Sequence, residues 1–190
     1  MRTRHAILSE RVPASGNAAL AASALIQAGL GVEFTLAGLN KFADPDFVAH
    51  FEAFVRASPG TNSGLLAPLI QALVLPHVAI AAALLEFSEL GLGLVLLIGA
   101  VEIARRRFSG RFGAQHGYEA PVALVAALAG FAAAGLALSI FLLEGGVLPT
   151  ITPGRAFTSA IPVELLIVLF GAAVGWIELG RFRVLKPQSR

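Results

Sequence analysis

Four apolar stretches, at about Ala18 to Phe42, Pro76 to Val101, Pro121 to Leu143 and Ile161 to Leu179, each approach or exceed the roughly 20 residues needed to cross a bilayer core. Between them they take up about half of a chain of 190 residues. Only 14% of the chain is charged and 56% is hydrophobic, against about 25% charged in an ordinary soluble domain. A mean hydropathy of +0.78 points the same way. With no water to satisfy the backbone, spans of this length must be helices, so the expected fold is a single all-α domain over residues 1–190, an integral membrane four-helix bundle.

Eleven of the fourteen basic residues fall on one side of such a bundle. Arg2, Arg4 and Arg11 precede span one; Arg105, Arg106, Arg107 and Arg111 follow span two; Arg181, Arg183, Lys186 and Arg190 follow span four. Lys41, Arg56 and Arg155 alone lie opposite. The positive-inside rule then places both termini and the middle connection in the cytoplasm, in a plasma (inner) membrane. The net charge of +2 is thus topological. No basic patch interleaved with aromatics suggests nucleic acid. The first apolar run is longer than a signal-peptide core and is broken by Gln27, Glu33 and Lys41, so it reads as a retained span.

Asp44 to Leu75 is long for a link between neighbouring helices. Asp44-Pro45 reads as a helix start, and Phe47, Phe51, Phe54 and Val55 then share a face opposite Glu52 and Arg56. This predicts a short amphipathic helix over about 45–57, lying on the outer surface or lidding the bundle. Pro76 removes a helix hydrogen bond and should separate Leu65 to Leu75, a re-entrant or tilted segment, from span two proper.

Inside the apolar stretches stand ionisable groups, each of which costs a few kcal/mol or more in hydrocarbon and so faces a partner or a wet cavity. Glu86 and Glu89 are one turn apart in span two, and Glu33 interrupts span one. By helical rise all three lie near the midplane, with Lys41 and His77 at the outer mouth. Gln27, Gly31, Gly38 and Lys41 share one face of span one, while Glu33 lies off that stripe. Gly171 and Gly175 form a small-xxx-small pair in span four, and Gly130 and Gly135 dot the alanine-rich span three, which suits close packing. Tyr118 and Trp176 read as interfacial anchors, and His50 and His116 as solvated loop residues. No pair of histidines has metal-ligand spacing, so no metal site is expected. The absence of cysteine excludes a dithiol relay and thiolate-held clusters on this chain.

The run Gly31-Val-Glu-Phe-Thr-Leu-Ala37-Gly38-Leu-Asn-Lys41-Phe42, with Glu89-Leu-Gly-Leu-Gly93-Leu-Val-Leu-Leu-Ile-Gly99 in span two, resembles the DoxX/DoxD family of small four-helix membrane proteins. The likeness is clearest over residues 25–100. Gln27 stands where members often carry arginine. The resemblance implies a membrane redox setting, since the family includes the membrane subunit of thiosulfate:quinone oxidoreductase. On the matching positions it makes Lys41 and Glu89 the family-like polar residues, with Glu33 and Glu86 additional.

Three functions are open on this sequence. One is an accessory subunit or anchor of a membrane redox complex, in which the acids pair with Lys41 and fix helix register. A second is a quinone-binding oxidoreductase subunit, with Lys41, His77 and Gln27 as ligand-binding residues and Glu89, Glu86 and Glu33 as the proton relay. Quinone would then be a bound cofactor or substrate, with nothing held covalently. A third is a small proton-coupled carrier. Lipid, and a membrane or redox protein or a second copy of the chain, are the expected partners.

Overall fold

The computed structural model describes residues 14–106, 110–148 and 161–186. Arg2, Arg4, Arg11, Arg107, Arg155 and Arg190, used above for orientation, lie outside them. Every regular element among the described residues is a helix. Four are long and apolar enough to span a membrane: α1 (Ala14–Ala43), α5 (Val78–Arg105), α6 (Glu119–Leu143) and α7 (Val163–Leu185). Leucine, isoleucine and phenylalanine side chains point outward from all four, among them Leu25, Phe87, Leu128 and Leu169. These form the surface that lipid would cover.

Apart from a 3-10 turn at Gly110–Phe112 between α5 and α6, the short elements cluster at one end. α2 (Phe47–Ala57) starts two residues later than the sequence suggests, because Asp44-Pro45-Asp46 is used as a turn, in which the Asp46 N–H donates to Asp44 Oδ1 at 3.0 Å. Ser58 ends α2 in an extended conformation, and Pro59 opens the single turn α3 (Pro59–Ser63). Then α4 (Ala67–Leu69) runs into one π turn at Ile70–Val74 and a 3-10 turn at Leu75–His77. Pro76 accounts for the irregularity, since it lacks an N–H and its ring crowds the carbonyl four residues back. His77, at φ −125° and ψ 38°, is the actual break before α5.

Close approach of backbones builds the bundle as two antiparallel pairs. Against α5, a Cβ on Gly38 would lie 2.8 Å from Leu90 N, and one on Gly93 would run into Thr35. Gly31 faces Leu97 in the same way. In the second pair, a Cβ on Gly130 of α6 would lie 2.7 Å from Gly175 N, while Gly171 meets Ala134. Gly135 belongs to no such contact. Between the pairs, Leu30, Phe34, Leu96, Ala129, Ala133 and Val174 form the apolar core. Small residues matter here because helices in lipid associate through close packing rather than through the hydrophobic effect.

Candidate functional site

Lys41 stands in the last turn of α1 and Glu89 near the middle of α5. The Gly38–Leu90 approach brings the two helices close enough for Lys41 Nζ to reach 2.5 Å from Glu89 Oε2. The same ammonium lies 3.5 Å from the Ala37 carbonyl and 6.0 Å from the centre of the Phe47 ring. Glu89 is buried, its side chain only 6% exposed, whereas Lys41 is 22% exposed. The charges compensate each other, but the contact is not aligned as a hydrogen bond, and Oε2 accepts none from a described residue. A buried carboxylate is thus left with room for a donor.

The pair forms part of the wall of a cavity of about 1090 Å³ bounded by α1, α2, the Ala67–Val74 segment, α5 and α6. Pockets for small organic molecules usually measure about 300–1,000 Å³ and are mostly apolar with a few convergent polar groups. This one fits. The aromatic face of α2, with Phe47, Phe51, Phe54 and Val55, closes it, and on the other side of α2 Arg56 pairs with Glu52 at 2.7 Å. The lid is tied down at its far end. Thr61 Oγ1 donates to Val55 O at 2.5 Å, Gln71 Nε2 donates to Thr61 O at 2.8 Å, and Gly60 is seated against the backbone of Leu142 and Leu143.

At the near end of the lid, His50 Nδ1 lies 2.7 Å from Asp44 Oδ2, and both residues reach the cavity rim. The hydrogen bond to His50 holds the Asp44 carboxyl below its ordinary value, and the same bond, with the Asp44 charge, holds the His50 imidazole above its own.

Of the residues singled out from sequence, Lys41, Glu89 and Glu33 line this cavity. Glu33 is exposed on its flank, in keeping with its offset from the Gln27–Lys41 stripe. Glu86 is half-buried and outside the lining, because a three-residue step turns it about 60° away from Glu89. His77, exposed beyond the Pro76 break, is also absent from it. The histidine at the cavity rim is His50, which is exposed, as its sequence surroundings suggest, and sits on α2 rather than in a loop.

Gln27 belongs elsewhere. It lies fourteen residues from Lys41, about 21 Å at helical rise, and is completely buried. Its Nε2 donates to Ser23 Oγ at 2.9 Å and to Glu178 Oε1 at 3.1 Å, and Ser23 Oγ donates to the same Glu178 oxygen at 2.9 Å. From Glu178 a chain of alternating charges runs on. Arg181 Nη1 donates to Glu178 Oε2 at 3.0 Å and its Nη2 to Glu102 Oε1 at 2.9 Å. Glu102 also pairs with Arg106 and with Arg105, whose Nη2 donates to Glu119 Oε1 at 2.7 Å. The Glu119 carboxylate accepts from the backbone N–H of His116 and Gly117, and Arg105 holds the carbonyls of Phe112 and Ala114.

Three carboxylates thus meet three guanidiniums and, with Ser23 and Gln27, join α1, α5, α6, α7 and the α5–α6 connection. Reading the arginines only as topology hid this network. The available signal was the i, i+3 and i, i+4 spacing of Glu102 with Arg105 and Arg106, and of Glu178 with Arg181. Its charges compensate one another, although Gln27 Oε1 and Arg106 Nη2 make no hydrogen bond among the described residues, so its chemistry is that of a clamp; the pair at the other end differs in lining a cavity. No family model, no curated protein and no solved structure matches the chain, so the reading of this site rests on its own geometry.

Proposed function

We propose that the protein is a DoxX-like integral membrane protein of the plasma (inner) membrane, with both termini cytoplasmic and α2 on the outer face, and that it serves as the quinone-binding subunit of a membrane redox complex. The observation that carries this reading is the apolar cavity with the Lys41–Glu89 pair in its wall. A quinone presents carbonyl oxygens that accept hydrogen bonds and, once reduced by two electrons and two protons, hydroxyls that donate them. Lys41 supplies an N–H donor for the first form. Glu89, with an oxygen that accepts no directed bond from a described residue, supplies an acceptor for the second.

Glu33, on the exposed flank of the same cavity, lies deeper along α1 than Lys41 and Glu89 and so serves as no route from Glu89 to the outside. The lid of α2 aromatics limits entry of water, which strengthens electrostatic contacts inside. The electrons come from a partner protein.

Purification in mild detergent with mass spectrometry of bound lipids and of protein partners tests the proposal. Quinone is expected with the native chain and absent from Glu89→Gln and Lys41→Met variants that still purify as folded helical protein. Stoichiometric recovery within a larger complex, with no quinone in any preparation, would overturn it in favour of a purely scaffolding subunit.

A further inference from the structure

A second void, a groove of about 470 Å³ between α5 and α6, is lined by Phe87, Ser88, Gly91, Gly135, Leu136 and Ser139 among others, and Ser88, Leu136 and Ser139 also line the main cavity. The two spaces adjoin across that shared wall. α5 and α6 touch further along, where a Cβ on Gly99 would come within 3.1 Å of Ala126 Cβ, and they diverge towards Ser88 and Ser139.

The floor of the groove is made by residues that helix packing does not explain. A Cβ built on Gly91 or on Gly135 meets nothing within 4 Å, whereas one on Gly93 or Gly130 runs into the neighbouring helix backbone. Gly91 and Gly135 are exposed, and both stand well inside their membrane-length helices, so the groove opens at hydrocarbon depth. Phe87 forms one rim and is braced edge-to-face by Phe42 at 5.1 Å between ring centres, next to Lys41.

We infer that this groove is a lateral portal that holds the long apolar tail of the ligand, whose oxygen-bearing head occupies the cavity beside Lys41 and Glu89. The inference rests on the quinone reading of that cavity and adds the ligand's class: a single-tailed, membrane-resident molecule that enters from the bilayer rather than from water. An apolar chain is the occupant that fits. Apart from Ser88 the groove walls are apolar, Ser139 Oγ already donates to Leu136 O at 2.7 Å, and the wall shared with the cavity at Ser88, Leu136 and Ser139 sets head and tail side by side.

The test uses the full chain in nanodiscs and two probes, a benzoquinone without a side chain and the same ring bearing a decyl chain, with affinities expressed per mole of lipid. Gly91→Leu and Gly135→Leu place a side chain in open space, so both variants are expected to retain native helicity and size-exclusion profile. They should weaken binding of the decyl compound about tenfold or more, since the new side chain fills the space of the tail and overpacking costs about 1–3 kcal/mol, and leave the tail-less ring unchanged. Equal weakening of both probes, or of neither, would overturn the portal while leaving the cavity reading in place. Failure of the unmodified chain to bind either probe would remove the cavity reading, and the portal with it.

Discussion

Glu102 of α5 and Arg181 of α7 meet at 2.9 Å although 79 residues separate them in sequence, and this contact links two diagonally placed, parallel helices of the bundle. Arg181 also neutralises Glu178, which is completely buried. Arg181→Met therefore strands Glu178 with only the neutral donors Ser23 and Gln27, while Glu102 keeps Arg105 and Arg106. Breaking a buried pair from one side costs about 3–5 kcal/mol, and a loss of that order is expected for the single variant in reversible unfolding in detergent. Adding Glu178→Gln to Arg181→Met should recover much of the loss; a double variant less stable than the single one would contradict the clamp.

Legibility was uneven, for physical reasons. Spans are readable because a bilayer demands length and apolarity, and Pro76 announced its break because the missing N–H acts locally. The Lys41–Glu89 pairing is open from sequence, but helical rise puts Lys41 at the outer mouth and Glu89 near the midplane, whereas the Gly38–Leu90 approach sets them level. Helix orientation was harder. α5 and α6 are apolar nearly all round, so no polar stripe says which face turns inward, and only the family resemblance, not the residue pattern, separates Glu89 from Glu86. α7 runs to Leu185, beyond the expected end at Leu179, because Arg181 is folded into the bundle by Glu178 and Glu102 instead of leaving it for water. Arginines at span ends carry a topological meaning that masks such pairing.

The Lys41–Glu89 contact should behave as a coupled pair. Lys41→Met leaves Glu89 charged in an apolar wall, and Glu89→Gln leaves Lys41 without its counter-ion, so each single variant is expected to lose about 1–3 kcal/mol of stability. In the double variant both charges are gone, and a double-mutant cycle should give a coupling energy between about 0.5 and 3 kcal/mol. Strictly additive losses would mean that the pair does not interact in the membrane.

Gly99 makes a sharper packing test. A methyl group there would collide with Gln27 Oε1 as well as crowd Ala126, and overpacking of this kind costs about 1–3 kcal/mol. Gly99→Ala should thus destabilise, and Gln27→Ala introduced beside it should relieve part of the strain. Gly29, exposed on the same α1 with nothing within 4 Å of a built Cβ, is the control. Gly29→Ala should be neutral or stabilising by up to about 1 kcal/mol, from helix propensity alone. Equal effects at the two glycines would refute the Gln27–Gly99 contact.

The lid carries the pH dependence. Its Asp44–His50 bond lowers the Asp44 pKa from its ordinary 3.8 and raises that of His50 from 6.5. The two signs define a window. The histidine contributes fully below pH 6.5, and that contribution is lost as pH rises through its raised pKa; the aspartate contributes above 3.8, and that is lost as pH falls through its lowered one. The lid is therefore best latched between these limits and loosens first on the alkaline side, where His50 becomes neutral. An NMR titration of the His50 ring should show a midpoint above 6.5 that returns towards 6.5 in Asp44→Asn. A hydrogen-exchange or labelling probe on α2 should follow the same midpoint in the unmodified chain. A His50 midpoint unaffected by Asp44→Asn would rule out the latch.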